Sequence, residues 1–183
     1  ILLFCTLMYR INELIKTGKN VFSIRDIGFI WKTKNKNTLY TTLKRYVKKG
    51  LIFRIRKGVY SLKPKKQLSL LEIASALIGD YHYLTTETIL QKEGLIFQSS
   101  NQLTFVSKKN FKIKFDDYLI RVRKLKSDYL FNLTGIRKEV FTLVADKERA
   151  IADILYFNKK FHFDNKNINW KKVKHYQKLI GFK

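Results

Sequence analysis

The apolar residues of this chain recur at two periods, and the points where the period switches leave few architectures open. Phe4, Leu7, Met8, Ile11, Leu14 and Ile15 fall at helical spacing, and Gly18 stops the pattern. Ser23 with Asp26 three residues later resembles a capping box, with Asp in the place usually held by Glu or Gln, ahead of Ile24, Ile27, Phe29 and Ile30. A polar break from Lys32 to Lys36 precedes a third helix, capped by Asn37 or Asn35 and running to about Lys49. Its buried stripe is Leu39, Leu43, Tyr46 and Val47, and Gly50 closes it. Two short apolar runs follow at once, Leu51 to Ile55 and Val59 to Leu62, joined by the basic turn Arg56-Lys57-Gly58. Three helices and then a basic hairpin predict a winged helix-turn-helix over residues 1–63.

Pro64, the only proline, stands among Lys63, Lys65 and Lys66 and marks a linker at 63–67, which leaves 68–183 as a second domain. Ser69 and Glu72 repeat the capping-box pattern, and a further helical stretch from Thr86 to Glu93 ends at Gly94. Beyond it the period becomes two. Leu103 and Phe105, then Phe111, Ile113 and Phe115, then Ile120 and Val122 alternate with polar residues. The simplest arrangement is an antiparallel meander turning at Lys108-Lys109-Asn110 and at Asp116-Asp117, with Val140 to Val144 as one more strand. Asp146 caps a helix with Ala150, Ile151, Ile154 and Leu155 inward, and Trp170, Val173, Tyr176 and Ile180 fit a final one. The expected class is α+β: a winged helix-turn-helix followed by a mixed α+β domain with a small antiparallel sheet.

Apolar residues at 45% and aromatics at 14% exclude a disordered polymer, so the formal charge of +24 belongs to a folded chain. Such a charge calls for nucleic acid or anionic membrane as partner. Residues 1–66 hold 17 Lys and Arg against only Glu13 and Asp26, whereas residues 67–183 hold 21 against 12. With the stripe of the third helix turned inward, its other face offers Lys36, Asn37, Tyr40, Thr41, Lys44, Arg45 and Lys48. Asn and Lys can bond base edges, Thr and Tyr can reach phosphates or a thymine methyl, and the cations neutralise the backbone. Arg54, Arg56 and Lys57 on the wing can reach a phosphate or the minor groove, and Arg25 in the first turn of the second helix is a candidate backbone clamp. A solvated basic face is the plainer alternative for the same residues. Two acids among the first 66 residues are far too few to balance 17 cations, an excess that ion-pair solubilisation would not produce.

Other chemistry finds little footing. Cys5 is the only cysteine, which implies a reducing compartment, and His82, His162 and His175 lack metal-ligand spacing. There is no phosphate loop and no dinucleotide fingerprint, so no cofactor, metal or catalytic residue is assigned and the chain is not expected to be an enzyme. An Asp116-Asp117 nuclease centre is the enzymatic rival. The opening apolar run is expected as a core helix rather than a leader or a span, and the cations are dispersed over a folded pattern, which speaks against membrane and for a cytoplasmic protein.

Several segments resemble the AbiEi family of antitoxins. They are Tyr83-Leu84-Thr85-Thr86-Glu87-Thr88-Ile89-Leu90 with Gly94-Leu95, the strand Leu103 to Val106, and Ala145-Asp146-Lys147-Glu148-Arg149-Ala150-Ile151-Ala152-Asp153-Ile154-Leu155. The last is similar to that family's Ala-(Ser/Thr)-Pro-Glu-(Lys/Arg)-Ala-Leu-x-Asp-x-Leu helix, departing at Asp146, which still caps, and at Lys147 in place of Pro. In the first third, Asn37-Thr38-Leu39-Tyr40, Gly50-Leu51-Ile52 and Arg56-Lys57-Gly58-Val59-Tyr60 resemble its winged helix. The resemblance implies the antitoxin of a type IV toxin-antitoxin or abortive-infection system, which binds repeats in its own promoter as double-stranded DNA, represses, and counters a nucleotidyltransferase-type toxin. It puts Glu148, Arg149 and Asp153 at motif positions without giving them a role. A plain transcription regulator whose second domain senses a ligand or dimerises is the binding-module rival.

Overall fold

Two glycines set the boundaries that matter most in the first third of the chain. Gly50 (φ +68) ends the third helix and Gly58 (φ +81) turns the hairpin, both in the left-handed region that costs any other L-residue strain. The computed structural model describes residues 2–97, 100–164 and 167–182, with side chains from Tyr9 onward. It divides into two units, Ile1–Gly79 and Asp80–Lys183.

The first unit runs α1 (Leu2–Ile15), β1 (Val21–Ser23), α2 (Ile24–Ile30), α3 (Lys36–Lys48), β2 (Phe53–Arg56), β3 (Val59–Ser61), a 3-10 turn (Lys65–Gln67) and α4 (Leu70–Ile78). The capping box at α2 is complete: the Ser23 hydroxyl accepts from the Asp26 amide, and the Asp26 carboxylate accepts from the Ser23 amide at 2.8 Å. Asn35 caps α3, accepting from the Asn37 and Thr38 amides at 2.9 and 3.2 Å. Ile11, Leu14, Phe22, Ile27, Trp31, Leu39, Leu43, Tyr46, Ile52 and Tyr60 form one core, with Val47 packed on its rim. Phe4, Leu7 and Met8, expected inward on α1, lie outside the described side chains, as does Cys5. Ile15 and Phe29, counted with the apolar stripes, stand exposed.

Two features of this unit depart from expectation. The hairpin is part of a three-stranded antiparallel sheet in the order β1-β3-β2, with Phe22 opposite Tyr60. Three residues are too few to show alternation, so β1 was invisible until its partner was known. The linker expected at 63–67 does not end the unit, because α4 packs on β1 and the Glu72 carboxylate accepts from the Asn20 amide at 3.0 Å. Glu72 is therefore turned away from the cap that its spacing suggested, and Ser69 alone caps α4, accepting from the Leu71 amide.

The second unit runs β4 (His82–Leu84), α5 (Glu87–Lys92), β5 (Gln102–Ser107), β6 (Phe111–Phe115), β7 (Tyr118–Lys124), α6 (Ser127–Leu130), β8 (Ile136–Lys138), β9 (Leu143–Ala145), α7 (Lys147–Phe157) and α8 (Trp170–Ile180). The class is α+β as expected, but the small antiparallel sheet is instead a six-stranded mixed sheet in the order β6-β7-β5-β4-β9-β8. β5 pairs with β7 in parallel, so the expected meander is corrected. The physical reason lies in burial. Thr104, Phe105, Val106 and Ser107 are buried on both faces, as suits an interior strand of a covered sheet, and β5 lies between β7 and β4. β6, which exposes Lys112 and Lys114, takes the edge. Asp116 and Asp117 form the two-residue turn between β6 and β7, both exposed. α7 is the central helix, with Glu148 to Ile154 all buried, and packs on α5, α8 and β9.

Candidate nucleic-acid interface

Helix α3 of 13 residues is roughly 20 Å long, and an α-helix fits the major groove of B-DNA. Burial of Leu39, Thr42, Leu43 and Tyr46 fixes its rotation about its own axis. The residues left outside are Lys36, Asn37, Tyr40, Thr41, Lys44, Arg45 and Lys48, all exposed. Asn37, Thr41, Lys44 and Lys48 follow one another at spacings of four, three and four and so form a single stripe. Because Asn35 takes the cap, the Asn37 carboxamide is left for other partners. Thr42, absent from the sequence-derived stripe, completes the buried side of the helix.

On the wing, Arg54, Arg56 and Lys57 are exposed. The register slips between Arg54 and Arg56, a bulge that changes the twist of β2 and re-aims its side chains. The Gly58 carbonyl accepts from the Ile24 amide at 2.8 Å, so the wing turn is tied to the first residue of α2. Arg25, also exposed, directly follows the tied residue Ile24, as Arg56 and Lys57 directly precede Gly58, although about 30 positions separate the two segments in sequence. Burial pushes the Tyr60 phenol above its ordinary value, Arg54 opposes that shift and Tyr40 adds to it, which puts Tyr40 of α3 within electrostatic reach of the wing. All 11 sequence-derived residues are thus exposed, on three elements that one sheet and one core hold together. Lys34 and Lys49, not singled out from sequence, stand exposed at the two ends of α3; their charge was the available signal.

Two of the three acids of this unit are engaged by its own backbone and cap groups. Asp26 accepts from both the amide and the hydroxyl of Ser23 at 2.8 Å, and Glu72 is buried against Asn20. No helix among the described residues is long and apolar enough to cross a membrane, and they contain no group of three His, Cys, Asp or Glu able to hold a metal ion.

The motif residues of the second unit have a different character. Arg149 and Asp153, both fully buried, pair at 2.9 Å across one turn of α7. The other guanidinium nitrogens donate to the carbonyls of Asn132 (3.0 Å), Thr134 (2.9 Å) and Tyr129 (3.1 Å) and to the Tyr83 hydroxyl (2.7 Å). Asp153 also accepts from the Thr85 hydroxyl at 2.8 Å. Burial works to lower the guanidinium, but Asp153 and Tyr83 outweigh it and hold Arg149 above its ordinary value. Glu148 accepts from the Lys172 ammonium of α8 at 2.9 Å. Every one of these contacts is internal, so the motif ties α7 to β4, to the 129–134 stretch and to α8.

No curated protein matches the chain. Residues 9–63, which carry the core of the first unit, helix α3 and the hairpin, match the family described as transcriptional regulator, AbiEi antitoxin.

Proposed function

We propose that this protein is a sequence-specific DNA-binding repressor of its own promoter and the antitoxin of a type IV toxin-antitoxin or abortive-infection system, acting by binding rather than by catalysis and working in the cytoplasm. The observation that carries the first half is the disposition of charge. Residues 1–79 contain 17 Lys and Arg against Glu13, Asp26 and Glu72, and two of those three acids are held by backbone or cap groups of the unit itself. The exposed stripe of α3, the wing and the start of α2 then offer cations to phosphates and Asn37 and Thr41 to base edges. The AbiEi match over the same residues supports that use.

The antitoxin half rests on the likeness of the second unit to that family. Its partner would be a toxin of the nucleotidyltransferase class. A binding reading is supported by the use of both Asp153 carboxylate oxygens in internal bonds and by the place of Asp116 and Asp117 in an exposed hairpin turn.

Titration of the full chain onto its promoter and onto a random duplex, over a series of salt concentrations, tests the first half. Log affinity is expected to fall linearly with log salt, with the promoter bound more tightly throughout. Salt-independent binding, or equal affinity for both duplexes, would refute it. Co-expression with a nucleotidyltransferase-type toxin encoded beside it tests the second: growth is expected to return, and a chain that represses without restoring growth is a plain regulator.

A further inference from the structure

The buried Arg149–Asp153 pair raises the question of what so costly an arrangement holds in place. Three of the groups it grips are backbone carbonyls, those of Tyr129, Asn132 and Thr134, all within one six-residue stretch. That stretch carries Phe131 and Leu133, which are 48% and 62% exposed. The Asn132 side chain between them donates to the Leu179 carbonyl at 3.0 Å, so the stretch is fastened to the last turn of α8, where Leu179 is 52% exposed. Three large apolar side chains therefore stand in solvent on a seam fixed from below by a guanidinium and from the side by an amide. An apolar tip held in one conformation loses little entropy when it binds, which is the property of an interface anchor.

The rim is basic. The Lys108 ammonium lies 5.1 Å from the Phe131 ring centre and the Lys126 ammonium 6.0 Å from that of Tyr129, with Asp128 the acid on the same segment. A second copy of this chain, itself at +24, meets that rim with like charge. A nucleic acid answers the lysines but leaves the three apolar groups unmatched.

We propose that residues 129–134 and the end of α8 form a docking surface for a protein that presents an apolar element flanked by carboxylates, and that the Arg149–Asp153 pair serves to hold this surface in shape. This does not depend on the DNA-binding reading of the first unit. The test pans a random displayed peptide library on the immobilised full chain with excess duplex present, then titrates the enriched peptides. Peptides combining aromatic or aliphatic residues with Asp and Glu are expected, binding Phe131→Ser and Leu133→Asp chains about tenfold or more weakly than the wild type. Both positions are exposed, so both variants should keep wild-type circular dichroism and duplex affinity. The proposal is overturned if no enriched peptide distinguishes the variants from the wild type, or if the distinguishing peptides are basic. Loss of binding to phosphatidylserine–phosphatidylcholine vesicles, or to duplex, on the same two substitutions would also overturn it, by assigning the surface to lipid or to nucleic acid.

Discussion

At the scale of single residues the most consequential group is Arg149, a full positive charge with no solvent exposure. Taking a guanidinium out of water costs several kcal/mol, and only a complete set of partners offsets it. Arg149→Met keeps the apolar stem but strands Asp153 and three carbonyls, and is expected to cost about 3–5 kcal/mol of stability. Arg149→Met with Asp153→Leu removes both charges, though not the stranded carbonyls, and should cost less than the sum of the two single losses. Urea midpoints for the two single variants and the double variant check this, and additive losses would show that the pair is not coupled. Glu148 behaves differently because its partner is half-exposed. Burial pushes its carboxyl up, but the Lys172 ammonium prevails and holds it below the ordinary value. A depressed acid contributes stability that is present above the ordinary carboxylate pKa and lost as pH falls through its folded pKa. Lys172, held above its ordinary value chiefly by Glu148, contributes below the ordinary ammonium pKa and loses that contribution as pH rises through its folded pKa. Glu148→Gln should therefore cost about 0.2–1 kcal/mol at neutral pH, with solvent screening of Lys172 keeping it small. The difference from wild type should shrink as pH falls below the ordinary carboxylate range, and an unfolding series from neutral pH into acid decides it.

At the scale of elements, the proposed DNA-binding function divides the work between α3 and the wing. On that reading Lys44 and Arg56 would neutralise phosphates, so Lys44→Ala and Arg56→Ala should weaken promoter and random duplex alike, each lowering the salt slope by about one. Asn37 and Thr41 would read base edges, and Asn37→Ala or Thr41→Ala should cost about 1–3 kcal/mol on the promoter with little change on random sequence. Four identical phenotypes would erase that division. Most of this surface was legible in the sequence. The Ser23–Asp26 box, the Asn cap and Gly50 fix where α2 and α3 begin and end, and helical period then decides which residues face out. What was illegible depends on partners remote in sequence. β1 is a strand only because β3 lies beside it, and no local pattern of β5, β6 and β7 reveals that β7 inserts between the other two. The role of Arg149 was hidden for the same reason, since its carbonyl partners lie on a loop 15 to 20 positions away.

At the scale of the whole molecule, the boundary between the units determines what can be separated. A cut inside 63–67 looks natural beside a lone proline and three lysines, yet it removes α4 from β1 and Glu72 from the Asn20 amide. A bond to a charged acceptor is worth about 1.5–3 kcal/mol, and a unit of this size has little stability to lose. Residues 1–79 are therefore expected to unfold cooperatively and to bind the promoter with the salt slope of the α3 and wing contacts. Residues 1–63 should melt at lower temperature and bind more weakly for that reason alone. Glu72→Gln in the longer fragment separates the two contributions, because it weakens the bond to Asn20 while leaving α4 in place. If the two fragments melted together and Glu72→Gln had no effect, α4 would belong with the second unit, and the winged helix would end at its wing.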